Sequence, residues 1–452
     1  MEKAAISRGQ WASRMGFILA CAGSAVGLGN IWKFPYVAGM NGGGLFVIIY
    51  LLCVVFIGLP IMICEFSIGR TTQRSPVDAF RALTSPGGWW QWVGWMGVFA
   101  GFIILSYYSV VAGWTLQYVV MALKGFGGAT DPDTVAGFFG KLYGSASLNL
   151  FWHMVFMSMT IGIVIGGVKG GIERASKIMM PLLFVMLGVL FLRSISMPGF
   201  GKALTFVFSP DISKLTPGAV IEAMGQAFFS LSLGMGAMLT YGSYLTKETD
   251  LAKSALIVAI MDTGVALMAS LIMFPIIFSF GMSPQSGPGL VFKSLPIVFV
   301  QMPGGMFFAV VFFLLLAFAA LTSAISLMEV VASFFIDTLK WDRVRATLIP
   351  GLLIFVFGVP SALSGADTSG LDLLPGKNVF ESMDYIASNW LLPLGGLFIA
   401  LFVGYRMDPK RVKTEFQQHS VFKHLFIPWL YCVRVLCPLA VAAVFIYGLM
   451  PK

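Results

Sequence analysis

Charge is scarce in this chain. Of its 452 residues 11% are Asp, Glu, Lys or Arg and 58% are hydrophobic, and the mean hydropathy is +0.88. No soluble globular composition reaches that balance, so the bulk of the molecule is expected in a bilayer. Histidine is scarcer still. His153, His419 and His424 stand at no metal-ligand or nucleophile-base spacing, which makes an intramembrane enzyme the weakest functional class. The five cysteines, Cys21, Cys53, Cys64, Cys432 and Cys437, fall in or beside apolar runs and read as small buried hydrophobes. No Asn-x-Ser/Thr acceptor occurs, and no cysteine pair stands in a loop, which fits a bacterial inner membrane better than a eukaryotic cell surface.

Apolar runs of spanning length are what the chain has in abundance, at about 20 residues each. They fall near 12–38, 43–68, 90–122, 149–167, 175–195, 217–244, 254–280, 306–336, 346–363, 381–404 and 425–449, eleven in all. The first begins after a short head with Lys3, Arg8 and Arg14, so no cleavable signal peptide is expected. With the N-terminus cytoplasmic, 19 of the 29 Lys and Arg residues lie on the inside and 9 on the outside, with Arg434 inside the last span. This bias orients the chain and explains its net charge of +9 as topology, not as affinity for nucleic acid. An odd span count leaves the C-terminus extracellular.

Two spans look wrong for a helix. In AGSAVGLGNIWKFP, Ala22 to Pro35, the residues Gly23, Gly27 and Gly29 interrupt the first span, followed by Asn30 and Pro35. Each interior glycine costs a helix about 1 kcal/mol relative to alanine. In lipid, the backbone freed by a break must find another partner. Bare carbonyls suit cations and bare N–H groups suit anions, so ions and a small polar ligand are the expected occupants. FFSLSLGMGA, Phe228 to Ala237, repeats the pattern in span six, where Gly234 and Gly236 flank Met235 as Gly27 and Gly29 flank Leu28. Paired interruptions in two halves are a mark of inverted-repeat transporters. Spans one to five (1–199) and six to ten (200–405) then form the repeats, with 406–452 an added inner loop and span.

Intramembrane polar groups are the remaining candidates. Asp262, deep in span seven, reads as an ion ligand or proton carrier. Glu65 in span two is a functional candidate by default as an intramembrane carboxyl, or it satisfies backbone freed by a neighbouring broken helix. Ile104 and Tyr108 share one face of span three, where aromatic residues are more often core. Ala319, Thr322, Ser323 and Leu327 form a stripe on span eight, although Thr and Ser hydroxyls in such helices commonly bond back to carbonyls four residues earlier. Arg8 and Trp11 read equally as an interfacial anchor. Gly171 and Pro181 either loosen the start of span five or simply start and kink it. The loop Met282 to Leu290 is long enough for an external lid, and Gly125 to Ser147 reads as a polar, partly ordered outer excursion.

Taken together, RGQWASRMGFILACAGSAVGLGNIWKFPYVAGMNGGG, GQAFFSLSLGMGA and AFAALTSAISLME resemble the neurotransmitter:sodium symporter family over essentially the whole chain, and in particular its bacterial eleven-span amino-acid transporters. The resemblance implies an all-α membrane protein with the leucine-transporter-like 5+5 inverted repeat and broken helices 1 and 6. It also implies sodium-coupled import of hydrophobic L-amino acids by alternating access. One sodium site would comprise the Ala25 carbonyl, Asn30, Ser230, Asp262 and the substrate carboxylate. A second would use carbonyls of Gly23, Val26 and Ala319 with the hydroxyls of Thr322 and Ser323. The substrate carboxylate would meet the N–H groups of Leu28 and Gly29 and the Tyr108 hydroxyl. Its ammonium would meet carbonyls of Ala25, Phe229 and Ser230, and its side chain Ile104, Tyr108, Phe229, Ser232, Met235, Ser323 and Leu327. Outer gate residues would be Lys33, Asp384 and Gln226; inner ones Arg8, Trp11, Asp337, Ser243 and Tyr244. Lys33 stands where the commonest bacterial pattern has Arg, and Asp262 where it has Asn, so the outer pair is expected to be looser and the first ion site to carry its own charge. No organic cofactor and no chloride requirement follow, and a monomer is expected to suffice. Proton coupling through Asp262 and Glu65, or a channel or sensor without turnover, are the rival readings.

Overall fold

A lipid-embedded backbone must satisfy its own polar groups, and apolar 20-residue runs do so as helices. In the computed structural model, which describes residues 9–85, 87–281, 290–366 and 372–449, no strand occurs among the described residues. Arg8, most of the Met282 to Leu290 loop and the C-terminal Lys452 lie outside them.

Among the described residues nine helices are long and apolar enough to cross a membrane, and a tenth, α1, is bent by 47° between Arg14–Ala25 and Gly29–Met40. The nine are α2 (Gly44–Thr72), α3 (Gln91–Leu123), α4 (Ala146–Ile165), α5 (Val168–Ile195), α7 (Leu251–Ser279), α8 (Gly305–Leu339), α9 (Arg343–Ala362), α10 (Val379–Arg406) and α11 (Lys423–Ile446). Between α5 and α7 stand two shorter pieces, Pro217–Ser230 and Ala237–Gly242, together α6. Every apolar run in the sequence thus finds a helix.

Burial separates centre from rim. The most apolar stretches of α3 and α8 are 83% and 72% buried, against 22% for α11, so α3 and α8 form the core scaffold and α11 faces outward. Connecting segments carry short helices of their own, Pro76–Leu83, Pro132–Tyr143, Phe200–Phe208 and Pro409–Gln417. The second of these lies in the stretch read as a loop; its start is set by Asp131, whose side chain accepts the Thr134 N–H, with Pro132 at the first helical position. Gly171 sits in a wide turn that runs directly into the rest of α5, and Pro181 is accommodated inside the helix, so this end is a helix start.

Both interruptions are present. α1 stops at Ala25, with Val26 extended. α6 stops at Ser230, and Ser232, Gly234 and Gly236 follow at φ of 53°, 78° and 75°. At Gly234 the positive φ is only half the reason for glycine, since a Cβ there would lie 2.2 Å from the Leu392 carbonyl oxygen. Glu65 is fully buried on α2, and its carboxyl oxygens accept the N–H groups of Gly234 at 2.8 Å and Leu239 at 3.1 Å. Of the readings open for this residue, the geometry supports backbone satisfaction.

Glu65→Gln retains the shape but turns an amide N–H₂ toward one of these two donors. It is expected to lower unfolding stability by about 2 kcal/mol, seen as a lower melting temperature of the detergent-purified protein. An unchanged melting curve would show that the two N–H groups do not depend on the carboxylate.

Candidate functional site

Where α1 breaks, Asn30 ties the loose ends together. Its side-chain oxygen accepts the freed Gly27 N–H at 3.0 Å, and its amide nitrogen donates to Ser230 Oγ at 3.0 Å and to Asp262 Oδ1 at 2.6 Å. Asp262 Oδ2 accepts the Ser230 hydroxyl at 2.7 Å and the Tyr50 hydroxyl at 3.1 Å. The breaks of α1 and α6 therefore meet α7 at one buried group of oxygens. Asp262 is fully buried, and among the described residues no cationic side chain pairs with it. A carboxylate so placed calls for a cation or a proton. Hard oxygens suit an alkali or alkaline-earth ion, and among the described residues no group of three His, Cys, Asp or Glu offers a softer site.

Tyr50 is a member the sequence reading missed. It stands alone in the uniformly apolar run GLFVIIYLLC of α2, where no period marks it, yet it is completely buried against Asp262 and Ser230.

Next to the oxygen group, the breaks enclose a small cavity of about 20 Å³. Ile104, Tyr108, Phe229, Ser232, Met235, Ser323 and Leu327, assigned to one pocket by resemblance, all line it. Polar side chains hold its walls together: Ser232 Oγ and Ser323 Oγ donate to the Ser24 carbonyl at 2.8 and 3.0 Å, and the Leu28 N–H donates to the Tyr108 hydroxyl at 3.3 Å. A Cβ at Gly27 would stand 2.5 Å from Ser323 Oγ and 3.1 Å from the Tyr108 hydroxyl oxygen, so a larger residue there requires both side chains to move. On α8, Thr322 Oγ1 bonds back to the Phe318 and Ala319 carbonyls at 3.1 and 3.0 Å, the commoner use of such a hydroxyl, whereas Ser323 also reaches the Gly23 carbonyl of α1 at 3.4 Å.

Toward the Lys33 end, a cavity of about 380 Å³ opens above Leu28, Gly29, Tyr108 and Phe229. Lys33 Nζ lies 3.8 Å from Asp384 Oδ2 and 4.7 Å from the centre of the Phe229 ring. Asp384 also accepts the hydroxyls of Tyr107 at 3.0 Å and Ser388 at 3.1 Å, so the pair is single-contact and shared, as expected for Lys in place of Arg. Gln226 donates to the Gly29 carbonyl at 2.8 Å.

At the opposite end Trp11 is buried, donating from Nε1 to the Tyr241 carbonyl at 3.0 Å and from its backbone to the Tyr244 carbonyl at 3.3 Å. Asp337 Oδ2 accepts the Ser75 N–H at 2.6 Å, and the Ser243 hydroxyl donates to the Thr240 carbonyl at 2.6 Å. Tyr244 donates to Glu329 Oε1 at 2.5 Å, and the Glu329 carboxylate also forms an ion pair with Arg343. The sequence reading left Glu329 and Arg343 without a role; their separation in sequence, across the turn between α8 and α9, carries no periodic signal.

Comparison with known proteins gives a consistent result. The model of the sodium:neurotransmitter symporter family matches residues 8–126 and 142–451. An uncharacterized sodium-dependent transporter of Bacillus subtilis (strain 168) is 40% identical over 438 residues, 97% of either chain, and one of Haemophilus influenzae (strain ATCC 51907 / DSM 11121 / KW20 / Rd) is 35% identical over 452 residues, 98% of either. The crystal structure of MhsT in complex with L-phenylalanine superposes with a TM-score of 0.91 at 46% identity, over 97% of this chain and 99% of that one. The paired helix breaks, the oxygen group where they meet and a family match across nearly the whole length lead to one conclusion: this multi-pass membrane protein belongs to the sodium:neurotransmitter symporter family.

Proposed function

We propose that the protein imports hydrophobic L-amino acids, aliphatic and aromatic, together with sodium by alternating access. The observation that carries this reading is the juxtaposition of an apolar-walled cavity, freed helix-end backbone and a buried carboxylate without a cationic side-chain partner among the described residues. A zwitterion matches the chemistry of all three, in a state where the cavity, about 20 Å³ in this conformation, has widened. Its carboxylate takes the N–H groups of Leu28 and Gly29 and the Tyr108 hydroxyl, its ammonium the carbonyls of Ala25, Phe229 and Ser230, and its side chain the space beside Ile104, Met235 and Leu327. The complex of MhsT with L-phenylalanine supports an amino acid of this kind.

In this proposal the first sodium lies among Ala25, Asn30, Ser230, Asp262 and the substrate carboxylate, and the second among Gly23, Val26, Ala319, Thr322 and Ser323. Two sodium ions entering with a neutral zwitterion gain about 4.6 kcal/mol per 100 mV of inside-negative potential, from roughly 2.3 per charge. That exceeds the about 4.1 kcal/mol of a thousand-fold gradient. Lys33, Asp384 and Gln226 would close the outer side, and Trp11, Ser243, Tyr244 and Asp337, with Arg8, the inner side. The interrupted α6 counts as a span, making eleven, ten of them in two inverted repeats of five and α11 an addition, with the N-terminus cytoplasmic and the C-terminus outside. One chain suffices for transport.

Three outcomes test this. In a thermal-shift screen of the twenty amino acids, hydrophobic ones should stabilise the protein only with sodium, while tyramine and tryptamine should not. Gly27 supplies no side-chain carboxylate to pair with an amine lacking its own acid group. Stabilisation by those amines equal to the amino acids would overturn the substrate class.

Met235 is unbranched and able to swing aside for a large ring. Met235→Phe should therefore lower the ratio of tryptophan to leucine affinity by roughly tenfold or more, about 1.4 kcal/mol, in competition binding. An unchanged ratio removes Met235 from the pocket.

The Asp262 carboxylate supplies a fixed negative charge beside the first ion, so uptake should persist when gluconate replaces chloride at constant sodium. Asp262→Asn should raise the half-saturating sodium concentration by roughly tenfold or more, from the lost ion attraction. Collapse of wild-type uptake in gluconate refutes the charge argument, and amino-acid counterflow that proceeds without sodium but follows pH favours a proton at Asp262.

A further inference from the structure

Arg434 stands well inside α11 and takes no part in the transport reading. A guanidinium in a span is costly unless it is paired or reaches a polar boundary, and such a group is a functional candidate by default. Its Nε donates to the Gly404 carbonyl at 2.6 Å, and the guanidinium lies 5.7 Å from the centre of the Tyr405 ring. Gly404 is small enough for the arginine to cross it, because a Cβ there would sit 3.0 Å from Arg434 Cγ. These contacts bring the cation level with the last residues of α10, which ends at Arg406.

At that level it meets two further cations. Arg434, Lys410 and Lys413 line one cavity of about 320 Å³, whose remaining wall includes Val403, Met407 and Phe426. Lys410 and Lys413 are exposed residues of the short helix Pro409–Gln417 that follows α10. Among the described residues no carboxylate lies within ion-pair distance of any of the three. The two nearest in sequence are otherwise engaged: Asp408 caps this helix by accepting the Lys410 N–H at 3.2 Å, and Glu415 pairs with the buried Arg70 at 2.6 Å. The cavity thus has an excess of positive charge over an apolar floor, on the most outward-facing helix of the molecule.

We infer that the cavity between α10, α11 and the Pro409–Gln417 helix binds the headgroup of an anionic phospholipid, with Lys410, Lys413 and Arg434 on the phosphate and the first acyl carbons along Val403, Met407 and Phe426. Basic pockets at the polar boundary between spanning helices suit such headgroups, and planar guanidinium groups hold phosphate oxygens in pairs. The apolar wall favours a lipid over a free anion, because it offers an inorganic phosphate nothing and an acyl chain a dry surface. The site is independent of the substrate reading and keeps its argument whichever amino acid the protein carries.

The test uses the full-length protein, delipidated in neutral detergent and titrated with phosphatidylglycerol or phosphatidylcholine, with bound lipid counted by native mass spectrometry and melting temperature followed in parallel. Phosphatidylglycerol should be retained preferentially and should raise the melting temperature. The double variant Lys410→Gln/Lys413→Gln changes only exposed side chains, so it tests the site without disturbing the Gly404 contact; each lost cation should weaken retention about fivefold. Arg434→Gln should abolish the preference. Equal retention of both lipids by the wild type, or phosphatidylglycerol retention unchanged in the double variant, overturns the proposal. So does inorganic phosphate or glycerol 3-phosphate that stabilises as well as the lipid, since that identifies a free-anion site.

Discussion

Backbone polar groups left open inside an apolar medium are the constraint on which this structure depends. Each interruption of α1 and α6 frees N–H and C=O groups that lipid cannot satisfy, and the surrounding helices are placed so that they can. Glu65 of α2 takes two N–H groups of α6, Asn30 takes that of Gly27, and Ser232 and Ser323 donate to the Ser24 carbonyl. Ser232 holds a left-handed conformation, disfavoured for an L-residue by about 1 kcal/mol or more, and its hydroxyl bond to α1 offsets this.

Charge follows the same logic. Asp262, Glu65, Glu329 and Arg70 are all buried: Glu329 pairs with Arg343 and accepts the Tyr244 hydroxyl, Arg70 pairs with Glu415 and donates to the Thr249 carbonyl, and Glu65 accepts two backbone N–H groups without a counter-charge from a described residue. Asp262 has hydrogen-bond donors and no counter-charge from a described residue. Asp262 also touches α1, α2 and α6 through Asn30, Tyr50 and Ser230. In the proposed function, an ion bound there would bear on the packing of four helices at once, which is the physical requirement for coupling its occupancy to a movement of those helices.

The two ends of the molecule are held differently. Near Lys33 the links are a 3.8 Å ion pair to Asp384 and hydrogen bonds from Tyr107, Ser388 and Gln226 beside a 380 Å³ cavity, and near Trp11 they are close bonds among buried groups. A half-buried, shared ion pair contributes little, whereas a buried ring with a satisfied N–H and a paired carboxylate contribute packing and specificity.

Much of this was legible in the chain itself. Apolar runs fixed by bilayer thickness correspond to helices throughout, and the glycine clusters Gly27/Gly29 and Gly234/Gly236 marked both breaks, whereas Gly23 lies within the helix before the first break. The spacing of Ile104 and Tyr108, and of Ala319, Thr322, Ser323 and Leu327, put each set on one helix face. Sequence could not decide between core and cavity for those faces, since both uses have the same period. Tertiary structure alone brought Tyr50 to Asp262, Glu65 to the freed N–H groups of α6, Glu329 to Arg343 and Tyr244, and Arg434 to the level of Gly404. Local pattern records the cost of a break or a buried charge, because that cost is paid where the residue stands. Its compensation comes from residues hundreds of positions away, so only the folded chain reveals it.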